Sequence, residues 1–131
     1  MRRHIVSVPV GPEAVSRARE AVAGRFGEVG VAPGSAFADV VLLVVSELVV
    51  NVLRHAPRSS AAVVGISAGA GQLVVSVADA EPQFPALRPG AMGAGLQLVA
   101  ELAAEYDGDV GAEPAVDHDG KVVLVRFAMP T

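Results

Sequence analysis

The chain has no cysteine. That excludes disulfides, thiolate zinc sites, iron–sulfur clusters and a cysteine nucleophile, and it suits a reducing compartment. Lysine is nearly missing: of ten basic residues only Lys121 is lysine, and beyond Arg2-Arg3 the arginines do not cluster. With a formal net charge of -4, the chain lacks the electrostatic footprint of a direct nucleic-acid binder.

No secretory signal is visible, because the first apolar stretch, 5–10, is short and contains Pro9. The run 40–53 falls short of the roughly 20 apolar residues a membrane span needs, and it holds Ser46, Glu47 and Asn51. It reads as a buried helix, so no membrane contact is expected and the expected location is cytoplasmic. Two nucleotide motifs are missing. There is no GxxxxGK followed by Ser or Thr, and GxGxxG fails because Leu98 takes the third glycine position. No HExxH occurs, and His4, His55 and His118 fall in separate elements, which leaves no metalloenzyme pattern.

What is present is apolar material: 52% of 131 residues, enough for one domain spanning 1–131 with a full core. Residues 4–8 alternate weakly and predict a first strand. Gly11-Pro12 opens a helix over 13–26, and the glycine-rich 27–34 is a connector. Ser35 is an N-cap for a long helix over 36–56, which Pro57 stops. Strands are predicted at 61–67 and 73–78 around Gly69-Ala70-Gly71. Residues 79–92 carry Pro82, Pro85 and Pro89 and read as a loop or lid. A third helix covers 95–106, and a closing hairpin pairs 110–116 with 122–128 across Asp117-His118-Asp119-Gly120. The order β-α-α-β-β-α-β-β predicts an α+β sandwich, with helices on one face of a mostly antiparallel, mixed sheet.

The long helix is apolar almost all round, yet Glu47, Asn51, Arg54 and His55 fall within an arc of roughly 100°. Glu47 and Asn51 stack at i, i+4, and His55 continues the row. One reading is a solvated stripe on a packed helix. The other is a site, since a carboxylate and an amide ringed by Val and Leu can bind Mg²⁺ through oxygen and accept a proton. Asp79, at a strand end, suits either a ligand contact or a turn. Gly93-Ala94-Gly95-Leu96 precedes a helix, where glycines let backbone approach phosphates and the helix N-terminus offers free N–H groups. The same glycines also suit a simple hinge.

Three segments occur in one order: Glu47-Leu48-Val49-Val50-Asn51-Val52-Leu53-Arg54-His55-Ala56, then Val77-Ala78-Asp79 with Pro82 and Pro85, then Gly93-Ala94-Gly95-Leu96-Gln97-Leu98-Val99. This set resembles the N box and the two glycine boxes of the GHKL ATPases, the gyrase, heat-shock chaperone, histidine kinase and mismatch-repair type. The short form, with Gly120-Lys121-Val122-Val123 opening the last strand, looks most like the anti-sigma-factor serine/threonine kinases.

The resemblance implies a Bergerat-type ATP-binding fold, with ATP and Mg²⁺ as cofactors. Asn51 would ligate Mg²⁺ at the phosphates, and Glu47 would be the catalytic general base. Asp79 would accept a hydrogen bond from the adenine amine. Gly93, Gly95 and Leu96 would bind ATP where the lid closes, and His55 would support the N box. The implied partners are an anti-anti-sigma protein, a sigma factor and a second copy of the chain in a homodimer. A non-catalytic, nucleotide-gated binding module on the same fold is the alternative. The sequence also departs from the family. Glu81 and Gln83 stand where the first box has glycines, and Ala94 stands where the second often has a basic residue. The position after Gly120-Lys121, often a Thr that ties a water to the adenine-binding Asp, is Val122.

Overall fold

The computed structural model describes residues 2–130, Arg2 by its backbone alone. Its elements in chain order are β1 (Arg2–Pro9), α1 (Ala14–Ala23), α2 (Phe26–Val29), α3 (Ala36–His55), β2 (Ala61–Gly69), β3 (Gln72–Asp79), α4 (Ala94–Glu105), β4 (Asp109–Pro114) and β5 (Lys121–Ala128). The five strands form one sheet in the order β1-β2-β3-β5-β4, and every neighbouring pair is antiparallel. β3 and β4 run the same way, with β5 inserted between them. The helices cover one face of the sheet, an α+β two-layer arrangement.

Local chemistry explains the element ends. Ser35 caps α3: its Oγ accepts from the Ala38 N–H at 3.1 Å, satisfying one of the donors a helix start leaves free. Ala70 and Gly71 turn β2 into β3 with φ of 53° and 77°, the left-handed pair that suits a tight hairpin. The first helix is shorter than the sequence predicts. It stops at Gly24, whose N–H bonds Glu20 O at 2.9 Å, and the chain resumes as the one-turn α2. Glycine weakens a helix interior, and the break turns both Phe26 and Val29 into the core. Gly30, at φ 81°, closes α2.

α3 is the central helix of the core. Phe37, Ala38, Val41, Val44, Val45, Leu48, Val49 and Val52 are buried, at spacings of three and four that make one broad face. They meet Val64, Ile66, Leu73, Val75, Val77, Val125 and Phe127 from the sheet. Each buried Val, Leu or Phe contributes about 1.5–3 kcal/mol, so this face anchors the helix against the sheet. Among the described residues α3 is the one helix long and apolar enough to cross a membrane, and here that apolar surface is spent on the sheet. Phe37, Tyr106 and Phe127 cluster with ring centroids 4.8, 5.5 and 6.3 Å apart. They tie the start of α3 to the end of α4 and to β5, which leaves the opposite ends of both helices free to frame a cavity.

Candidate functional site

A cavity of about 400 Å³ opens between the second half of α3, the segment 80–93, the first turn of α4, and the ends of β3 and β5. Its walls are apolar: Leu48 and Val52 from α3, Val77 and Val123 from the sheet, Leu96 from α4. Polar groups enter at defined points, with Asn51 and His55 from α3, and Asp79, Glu81 and Lys121 at the strand ends. The polar row of α3 therefore faces a cavity at Asn51 and His55. Arg54, also in the predicted arc, is exposed outside it.

One end of the cavity is built on a buried ion pair. Asp79 and Lys121 are 5% and 6% exposed and sit opposite each other in the β3–β5 register. Lys121 Nζ lies 3.0 Å from both carboxylate oxygens and donates to Glu81 O at 3.2 Å. The Glu81 N–H donates to Asp79 Oδ1 at 2.8 Å, and the Glu81 carboxylate accepts from the Gln83 N–H at 3.0 Å. Ser59, itself buried, accepts from the Ala80 N–H at 2.9 Å and fixes the chain as it leaves β3. Gly120 permits the close approach of the two strands, because a methyl group there would overlap the Asp79 carbonyl oxygen. The residue facing Asp79 is thus Lys121. Val122, at the position where the family often has Thr, is paired with Ala78.

The same strand end is held from outside by His118. Its Nε2 is 3.1 Å from Asp79 O and its Nδ1 is 2.7 Å from Asp117 Oδ1. Both partners are acceptors, so only the imidazolium, with a proton on each nitrogen, can satisfy both. The Asp117 hydrogen bond first, then the Asp79 carbonyl, raise the His118 pKa above its ordinary value, and the bond to His118 lowers that of Asp117.

At the other end, Asn51, Gly93 and Leu96 line the cavity. α4 starts at Gly93 with no side-chain cap and no acidic residue in its first turn, so its free N–H groups and positive dipole end remain available to an anion. Glu47 and Gly95 meet beside the cavity: a Cβ on Gly95 would lie 2.6 Å from Glu47 Oε2, whereas one on Gly93 would meet nothing within 4 Å. Gly95 thus makes room for the carboxylate. The segment above contains a turn in which the Ala91 N–H bonds Arg88 O at 3.0 Å, with Gly90 at φ 84°, as a Pro-Gly turn requires.

Among the described residues no cluster of three or more His, Cys, Asp or Glu could hold a metal by itself. Magnesium rarely asks for one, since it keeps waters and leans on ligand phosphates. The donor set fits that mode, with the Asn51 amide oxygen and bare helix N–H groups at one end of the cavity. Of the sequence-predicted residues, Asn51, Asp79, Gly93 and Leu96 share the cavity, while Glu47 and Gly95 pair at its edge. Sequence reasoning missed Lys121, His118 and Phe84. Phe84, 43% exposed, is the aromatic side chain lining the cavity. Only the proline-rich composition of its segment hinted at it.

Helices on one face of an antiparallel sheet, with a cavity between a polar-striped helix and a glycine-led one, define the GHKL type of ATP-binding fold. The chain belongs to the family described as histidine kinase-like ATPase domain, whose profile matches residues 8–127. No curated protein matches it at a significant level. Among solved structures, it is similar to the RsbU and RsbW domains of Rv1364c from Mycobacterium tuberculosis, with TM-score 0.64, 16% identity, and coverage of 98% of this chain and 33% of that one. It is also similar to the histidine kinase domain of a blue-light activated histidine kinase from Erythrobacter litoralis EL346, with TM-score 0.53, 24% identity, and coverage of 70% and 44%. A third is full-length ShkA solved in complex with AMPPNP, with TM-score 0.59, 20% identity, and coverage of 98% and 32%. At these identities the likeness is one of fold, and the chain spans less than half the length of each.

Proposed function

We propose that the chain binds Mg·ATP in this cavity and acts as a cytoplasmic serine/threonine kinase of the anti-sigma-factor type. In that reading it phosphorylates a serine on an anti-anti-sigma partner and, loaded with nucleotide, holds a sigma factor. Asp79 accepts from the adenine amine, Asn51 ligates Mg²⁺ with the phosphates, and Gly93, Gly95 and Leu96 present backbone at the start of α4. Bound Mg²⁺ would neutralise phosphate charge. Glu47 takes the proton of the incoming serine hydroxyl. The observation that carries the reading is the gathering of Asn51, Asp79, Gly93 and Leu96 around one cavity, with Glu47 against Gly95 at the same helix N-terminus. A general base belongs beside the phosphate that is transferred.

A second reading, a nucleotide-gated binding module without catalysis, is favoured by one observation. Lys121 is engaged with Asp79, and Arg88 is not among the residues lining the cavity, which leaves no unengaged Lys or Arg among the described lining residues for a transferring phosphoryl group. The experiment is transfer of labelled γ-phosphate to a candidate antagonist protein. The kinase reading requires transfer by the wild type. Binding of nucleotide without transfer to any such partner gives the second reading.

A further inference from the structure

We propose that Lys121 is a specificity-determining residue that reads the base directly, together with Asp79. The inference rests on the ATP-site reading above and concerns a side chain that reading leaves without a role.

An ammonium has three N–H donors and a carboxylate has about four acceptor positions. The Asp79 carboxylate takes Lys121 Nζ from one direction, at 3.0 Å to each oxygen, and Glu81 O takes it from a second at 3.2 Å. Among the described residues no third acceptor meets Nζ, and Lys121 lines the cavity. One donor direction is therefore left. On the carboxylate, Oδ1 already accepts from Lys121 and from the Glu81 N–H at 2.8 Å. Oδ2 lies 3.0 Å from Nζ as its ion-pair partner but accepts no hydrogen bond from a described residue, which leaves it free to accept one. Both residues are more than nine-tenths buried, and both line the cavity, where a ligand can meet the spare positions.

The cavity thus ends in an acceptor and a donor side by side, locked in register by the β3–β5 ladder. A 6-aminopurine has the complementary edge: an exocyclic N–H donor next to the N1 acceptor. Asp79 Oδ2 takes the amine proton and Lys121 donates to N1. A ring-nitrogen contact from a fixed ammonium is charge-assisted, and stronger than one relayed by a water. Guanine presents its acceptor at O6 and its donor at N1, so the same pose would set donor on donor and acceptor on acceptor.

The test uses the full chain and base analogues. ATP and 1-deaza-ATP, which lacks only the N1 acceptor, are titrated calorimetrically with Mg²⁺ into the wild type and into Lys121→Met. The expected result is binding of 1-deaza-ATP about 10- to 100-fold weaker than ATP in the wild type, with the ratio close to one in Lys121→Met. Losing Lys121 leaves a buried carboxylate unpaired. If that variant does not fold, the wild type labelled with ¹⁵N at its single lysine answers the same question: the Lys121 ammonium resonance should shift with ATP and stay in place with 1-deaza-ATP. Equal affinity for the two nucleotides in the wild type overturns the proposal. So does a preference that survives removal of Lys121, which would mean a water supplies the donor. GTP binding as tightly as ATP overturns the adenine register. Failure of the wild type to bind any adenine nucleotide is a different result: it strikes the ATP-site reading itself, and the role of Lys121 falls with it.

Discussion

Two glycines near the cavity differ in what a methyl group would meet, and that makes them separable probes. At Gly95 the neighbour is the tip of the flexible Glu47 side chain, 2.6 Å from the added carbon. Gly95→Ala should hold or slightly raise the thermal midpoint, since Ala is the better helix former by about 1 kcal/mol. It should also lower phosphoryl transfer by displacing the base. At Gly120 the neighbour is backbone, the Asp79 carbonyl, and Gly120→Ala should destabilise by on the order of 1–3 kcal/mol in urea unfolding. Glu47→Ala should leave Mg·ATP affinity nearly intact and cut transfer by about 10²–10⁴. Unchanged transfer in Glu47→Ala would remove that residue from the chemistry.

His118 gives a prediction with a sign. Its pKa is raised in the folded chain. Its stabilising contribution is therefore fully present below the unfolded value, near 6.5, and is lost as pH rises through the folded value. The clamp on the Asp79 carbonyl should loosen across that window. Imidazole titration by NMR should find His118 above the usual range, and Asp117→Asn should bring it down. A titration at the ordinary value in the wild type would contradict the two-acceptor geometry.

Helix α3 was the most legible element, because its ends are written in single residues. Ser35 caps it and Pro57 stops it, so the predicted 36–56 meets the observed Ala36–His55. Ser35→Ala should cost about 0.5–2 kcal/mol in denaturant unfolding, and no loss would mean the cap is not used. The first helix was read too long, since an apolar Phe26 in helical phase masked the break at Gly24. The hairpin β4–β5 was readable as a hairpin, but the pairing of β5 with β3 was not. That failure matters most for the site: the partner of Asp79 is 42 positions away in sequence, and only the ladder shows that it is Lys121. Periodicity reports which face a residue takes within its own element. It does not report which residue of another strand stands opposite. The polar row on α3 was legible for the same reason that its destination was not. Whether it met solvent or a cavity depended on where α4 and the segment 80–93 lie.

For the molecule as a whole, the exposed apolar surface of β1 motivates one proposed association, a homodimer. The inner face of the sheet is covered by α1, α3 and α4. β1 is an edge strand with Ile5 and Val6 exposed at 55% and 38%, a place where a second copy would pair or pack. Light scattering at micromolar concentration with nucleotide should return a dimer mass, and a monomer mass would remove that proposal. The proposed function requires the cavity to hold Mg·ATP through Asn51. The direct measurement is a calorimetric titration of ATP, with and without Mg²⁺, into the wild type and Asn51→Ala. The prediction is saturable binding that requires Mg²⁺ and weakens by about tenfold or more in Asn51→Ala, with the thermal midpoint of the free chain unchanged. Equal affinity in the two proteins, or no binding by the wild type at all, would contradict it.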